Sequence, residues 1–192
     1  MTLRLLCGLA LWACAASASA NPGPSRQVNE AARASSVFTD RVQAYVTLLK
    51  DLDGSVTPLR PTTNPEQIAG PQHALAEKIA LARRDSRQGA IFTPDVAEQF
   101  REIIRDTLQG PNGRNMRRTI LEGDSVTPTI LRVNGVYPEE LPLGTMPPTL
   151  LRRLPVLPME LAYRIIGRAL VLKDVKTNLI VDILPDALPR IP

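Results

Sequence analysis

A chain of 192 residues, 44% hydrophobic and 22% charged, carries enough apolar side chains to bury the core of one domain or two small ones. Its formal charge of +4 includes Arg4 near the start, and aromatic residues make up only 4%, scattered singly along the chain. That is too little positive charge and too few stacking platforms for a nucleic-acid binder, so no nucleic acid is expected as a partner.

The first element is a leader. Arg4, an apolar run from Leu5 to Ala16 and the small residues Ala18, Ser19 and Ala20 follow the order of a secretory signal peptide over residues 1–20, with cleavage after Ala20. The apolar run is shorter than the roughly 20 residues needed to cross a bilayer, and no later stretch approaches that length, so no membrane span is expected. A second reading takes Leu11, Trp12, Ala13 and Cys14 as a lipobox that leaves Cys14 as a lipidated anchor. Both cysteines, Cys7 and Cys14, fall within the leader, so the exported body would hold no disulfide. The expected location is the periplasm or the extracellular space.

Residues 21–112 read as a helical region. From Ser25 to Leu52 the residues Val28, Ala31, Ser35, Phe38, Val42, Tyr45, Leu49 and Leu52 recur in steps of three and four, which aligns them along one side of a helix. That stripe serves either a coiled-coil seam or packing within the domain, and the dilution by Ala31 and Ser35 favours packing. Gly54, Pro58 and Pro61 mark a loop. Asn64 then caps a second helix with Pro65 in its first turn and Gln67 as a capping-box partner, and a kink or restart is expected at Pro71. Arg83, Arg84 and Arg87 close it as cations that complement the helix dipole. The third helix follows Thr93 as cap and Pro94, buries Val96, Phe100, Ile103, Ile104 and Leu108, and stops at Gly110 and Pro111.

Residues 113–192 change character. A short helix before Gly123 and a turn of helix from Pro148 are all that the prolines at 128, 138, 142, 147, 155 and 158 leave room for, and "TILRV" before Asn134 and Gly135 reads as a short strand with a turn. In "YRIIGRALVLKD", Gly167 and Arg168 suit a two-residue type II′ loop, whose first position needs positive φ. This sets Ile165 opposite Leu170, Arg164 opposite Val171 and Tyr163 opposite Leu172, with one wholly apolar face. A third strand, Leu179 to Leu184, returns through Val175 to Asn178. Pairing Leu172 with Val181 and Leu170 with Ile183 keeps Asp182 on the polar face beside Arg164 and Lys173, and avoids burying its charge without a partner. The expected fold is α+β: an N-terminal bundle of about three amphipathic helices with a C-terminal antiparallel three-stranded meander.

"QGAIFTP" and the ending "LPVLPMELAYRIIGRALVLKD" resemble segments of a family of exported bacterial hypothetical proteins. The resemblance implies export and brings no activity with it. Leu154, Pro155, Pro158, Tyr163, Arg164, Gly167, Leu170, Val171, Leu172 and Asp174 are also similar to the terminal hairpin of periplasmic nickel and cobalt homeostasis proteins. The long helical N-terminal half departs from that second family, so no metal role is carried over.

Residue groupings that spell catalytic motifs also have plainer roles. Gly123, Asp124 and Ser125 spell the GDS of some serine esterases, but the strand before, the helix after and the Asp and His partners are missing, which leaves a turn. His73, the sole histidine, stands one helical turn before Glu77, and this pair alone cannot fill a zinc site. Glu139, Glu140, Asp174, Asp182 and Asp186 supply carboxylates that a glycosidase could use, and that solvated loops also carry. The reading reached is a non-enzymatic binding or envelope-structural protein without a cofactor, with Arg164, Lys173 and Asp182 as its contact surface and an envelope protein or anionic surface as partner. The alternative is an envelope hydrolase using Ser125 or a carboxylate pair. Oligomeric state is left open.

Overall fold

A computed structural model describes residues 24–55, 65–122, 130–138 and 146–189. The expected leader, the expected cap at Asn64, the expected turn at Gly123–Ser125, and Glu139 and Glu140 lie outside the described residues.

Helix α1 (Pro24–Asp53) carries the expected stripe, but only part of it packs. Ala34, Phe38, Val42, Tyr45, Val46 and Leu49 are buried, whereas Val28 is 68% exposed, so the first turns run out past the core. The stripe thus serves packing within the domain. Gly54 ends the helix with its N–H on the Lys50 carbonyl, and the Ser55 hydroxyl donates to Leu52 O. Helix α2 (Pro65–Ala82) is continuous through Pro71 rather than restarting there, and buries Leu75, Ala76 and Ile79.

Helix α3 (Pro94–Gln109) has the expected bounds and buries Val96, Ala97, Phe100, Ile104, Thr107 and Leu108. Thr93 occupies the cap position without a side-chain cap bond, and it is the Thr93 carbonyl that accepts from Ala97 N–H at 2.7 Å. Helix α4 (Gly113–Glu122) extends the helical part beyond residue 112 and adds buried Met116 and Ile120. The turn between them leaves no room for a side chain at Gly113, where a Cβ would stand 1.8 Å from Leu108 O. Helix α5 is one turn, Pro148–Leu151, with Leu150 buried.

Strands β1 (Leu161–Ile166), β2 (Ala169–Asp174) and β3 (Ile180–Leu184) form an antiparallel sheet in the order β1-β2-β3. Gly167 at φ +56 opens the first turn, and Tyr163 opposite Leu172, Arg164 opposite Val171 and Ile165 opposite Leu170 match the expected register. The second hairpin does not. Leu172 faces Asp182, Leu170 faces Leu184, Val171 faces Ile183 and Lys173 faces Ile180, with a β-bulge at Val181. A bulge sends two successive residues to the same side, so Val181 and Asp182 both face the helices. Among the described residues 130–133 the strand expected in "TILRV" is not formed: residues 132–135 form a turn, and Val136 bridges to Leu179 while Asn134 N–H bonds Ile180 O and Tyr137 N–H bonds Asn178 O along the outer edge of β3.

The core lies between the helices and the inner face of the sheet. All three phenylalanines and Tyr163 meet there, with ring centroids 4.9 Å apart for Phe38 and Phe100, 5.3 Å for Phe92 and Phe100 and 6.1 Å for Phe100 and Tyr163. Aromatics scattered in the sequence converge because each sits on the inward face of its element. A second, smaller cluster on the outer face joins Tyr137, Val171, Ile180 and Ile183 under the 131–137 segment. The outer face is therefore partly covered instead of wholly polar.

Candidate functional site

Two polar groupings flank the sheet, and they differ in what they can do. The inner one begins with Asp182, which is 0% exposed. Its Oδ1 accepts from Gly89 N–H at 2.9 Å and Ile183 N–H at 2.8 Å, and its Oδ2 from Ile91 N–H at 2.7 Å and Phe92 N–H at 2.8 Å. Gly89 at φ +88 turns the loop between α2 and α3 so that its amides converge on one carboxylate. The Arg41 guanidinium, donating to the Ala90 carbonyl, holds the same loop from α1. The expectation that Asp182 joins the outer polar face is corrected here, because backbone amides some ninety residues away supply the partners that its local sequence lacks.

Arg83, expected as an end-of-helix cation, is instead buried beside this loop. Its Nη1 donates to Asn134 Oδ1 at 2.8 Å and its Nη2 to Val181 O at 2.9 Å, while the guanidinium lies 5.0 Å from the Tyr45 ring centroid. Burial lowers its pKa, and the nearby Tyr45 and Asp182 oppose that shift. Asn134, at φ +63, returns a bond from Nδ2 to Arg83 O and so ties the outer segment to the helices. The bulged carbonyl of Val181 is the third corner of this clamp.

Tyr45 donates to Asp174 Oδ2 at 2.6 Å, and Asp174 Oδ1 accepts from Lys176 N–H and Thr177 N–H at 2.8 Å each. Burial first, and the Asp174 carboxylate second, push the Tyr45 hydroxyl well above the usual tyrosine range. Asp174 is 0% exposed and caps the turn between β2 and β3 as an Asx-type acceptor. Of the carboxylates weighed for hydrolysis, Asp174 and Asp182 are thus sealed in the fold, and Asp186 is exposed and paired with Arg168 at 2.9 Å. His73 and Glu77 are exposed on α2, and among the described residues no group of three His, Cys, Asp or Glu side chains could hold a metal ion.

The outer grouping contains the other two expected contact residues. Arg164 opposite Val171 and Lys173 opposite Ala162 are diagonal neighbours on one face, a placement that sets them about 7–8 Å apart. Lys173 Nζ lies 4.9 Å from the ring centroid of Tyr137, a residue that sequence reasoning left out because only the return of the 131–137 segment brings it there. Burial, and the positive charge of Arg164 after it, lower the Lys173 pKa, with Asp174 acting the other way. Among the described residues neither Arg164 nor Lys173 has a carboxylate partner within ion-pair distance. Arg164 Nη1 donates to Tyr163 O at 2.8 Å, while its Nε and the Tyr137 hydroxyl are buried without a hydrogen-bond partner. Chemically this is a pair of like charges backed by an aromatic ring, suited to holding an anion and offering no nucleophile or general base.

No family model, curated protein or solved structure matches this chain.

Proposed function

We propose that this is an exported, periplasmic or secreted, non-enzymatic binding protein of the bacterial envelope, which meets an anionic partner through Arg164 and Lys173 on the outer face of its sheet. The observation that carries the reading is the contrast between the two groupings. The buried Asp174 and Asp182 carboxylates are fully occupied by protein donors, whereas the two outer cations repel one another across the face with no carboxylate pair among the described residues. Like charges held close cost free energy that an incoming anion recovers. The resemblance of "QGAIFTP" and the ending to segments of exported bacterial proteins supports the export part of the reading.

The test is affinity capture from intact envelopes with the protein lacking residues 1–20 as bait, run beside hydrolysis assays on generic ester and glycan substrates. The reading expects a specific envelope partner whose retention falls as salt rises, because exposed charge pairing is screened. Turnover of an ester or glycan with no partner recovered would replace it with the hydrolase. N-terminal sequencing of the exported protein settles processing: a start at Asn21 is expected, and a lipidated Cys14 would show an anchored protein instead.

A further inference from the structure

The geometry points to strand addition at β1: its outer edge takes up an extended acidic peptide, whose carboxylates lie over Arg164 and Lys173. This deepens the binding reading above and rests on it.

The argument starts from the turn. A two-residue hairpin loop makes its flanking residues, Ile166 and Ala169, a hydrogen-bonded pair, and such pairs alternate along an antiparallel ladder. Ile166, Arg164 and Ala162 therefore turn their backbone groups toward β2, while Ile165, Tyr163 and Leu161 turn theirs outward. Three bonds agree with that assignment. Asp174 N–H, opposite Leu161, reaches away from β1 to Leu179 O; Leu161 N–H reaches Pro158 O; and the Tyr163 carbonyl accepts from Arg164 Nη1.

β1 is the edge of the sheet, with no strand beyond it among the described residues. Edge strands are commonly protected by a charged side chain folded over the open backbone, and Arg164 occupies that place. A guard that is cationic, half-buried and, among the described residues, hydrogen-bonded to the carbonyl of its neighbour with no carboxylate at hand is displaced by a strand that brings its own N–H for Tyr163 O and a carboxylate for the guanidinium. Lys173, on the same face one pair further, extends the preference for acidic side chains at alternate positions of the incoming strand.

Charge also decides against a second copy of this chain as occupant. Two β1 edges paired about a twofold axis would place Arg164 and Lys173 of both copies on one continuous face, a like-charge arrangement that disfavours the pairing.

The test uses the protein without residues 1–20 and a fluorescent octapeptide of alternating Thr and Glu, with an alternating Thr and Lys octapeptide as the comparison. Binding is followed by anisotropy, and amide hydrogen exchange reports where the peptide lies. The Thr–Glu peptide is expected to bind in preference and to slow exchange at the Tyr163 and Ile165 amides. Arg164→Glu should weaken it about tenfold or more and favour the Thr–Lys peptide. Ile165→Pro should remain folded, because that N–H gives nothing to β2, yet lose the peptide.

If the Thr–Glu peptide binds without slowing those two amides, or binds Ile165→Pro equally well, strand addition is wrong while the cationic face survives as a binding surface. If Ile165→Pro does not fold, the charge reversal and the exchange pattern decide alone. Equal binding of both peptides, binding of neither, or a dimer that protects the same amides would each overturn the proposal.

Discussion

A single carboxylate decides how the tail meets the body. Asp182 accepts from four backbone N–H groups, and an amide left buried without a partner costs about 1–3 kcal/mol. Asp182→Ala should therefore lower unfolding free energy by about 3–5 kcal/mol in urea denaturation. Tyr137→Phe makes the opposite case: the hydroxyl it removes sits in a residue only 2% exposed and has no hydrogen-bond partner. That variant should lie within about 1 kcal/mol of the parent, on the stabilised side. A loss of more than that on Tyr137→Phe, or a harmless Asp182→Ala, would contradict this assignment of roles. Neither role was legible in the sequence. Local sequence places Asp182 on the polar face because three of its four partners are amides of residues 89–92, and no side-chain pattern announces an acceptor-hungry loop.

Among the elements, those governed by near neighbours in the chain were the legible ones. The stripe from Phe38 to Leu49, the bounds of α3 and the register of the first hairpin all follow from side-chain spacing and turn chemistry within a dozen residues. The bulge in β3 and the 131–137 strap were not legible, because both answer to contacts with distant segments: Arg83 pulls on Val181 O and Asn134, and Asp182 reaches the loop before α3. Two glycines separate local from non-local constraint. Gly167 needs its positive φ but has open space at the Cβ position, so Gly167→Ala should cost only the backbone strain, about 1–2 kcal/mol. At Gly113 a Cβ would run into the Leu108 carbonyl, so Gly113→Ala must move the α3–α4 junction and should be the more damaging of the two by thermal denaturation. Equal midpoints for the two variants would show that the junction yields freely.

Taken whole, the molecule is a helical layer and a sheet closed over one aromatic core, and that closure sets its response to alkali. All three tyrosines are buried, and burial raises the pKa of each, with Arg164 partly offsetting the rise at Tyr137. The unfolded chain ionises tyrosine near pH ~10, whereas the folded chain keeps these hydroxyls protonated beyond it. The stability they contribute is complete below that pH and declines as pH rises above it. Lys173 acts in the other direction: its lowered pKa makes the folded chain release a proton first, so its own contribution grows with pH up to the usual lysine value. With three tyrosines against one lysine, the sum is a loss. Tyrosinate absorbance should therefore appear together with the loss of secondary structure, in one cooperative step. Tyrosinate forming near pH ~10 in a chain that keeps its circular dichroism would contradict the closed core.

The central claim, that the tail is locked onto the helices through Asp182, is tested most directly by amide hydrogen exchange in the native protein. Ile91 and Phe92 belong to a loop between helices, yet their amides are bonded to Asp182 Oδ2 and buried. The account predicts that they exchange as slowly as the amides of β2, and that Asp182→Ala releases them. Exchange of Ile91 and Phe92 in the parent protein at the rate of an open loop would contradict it.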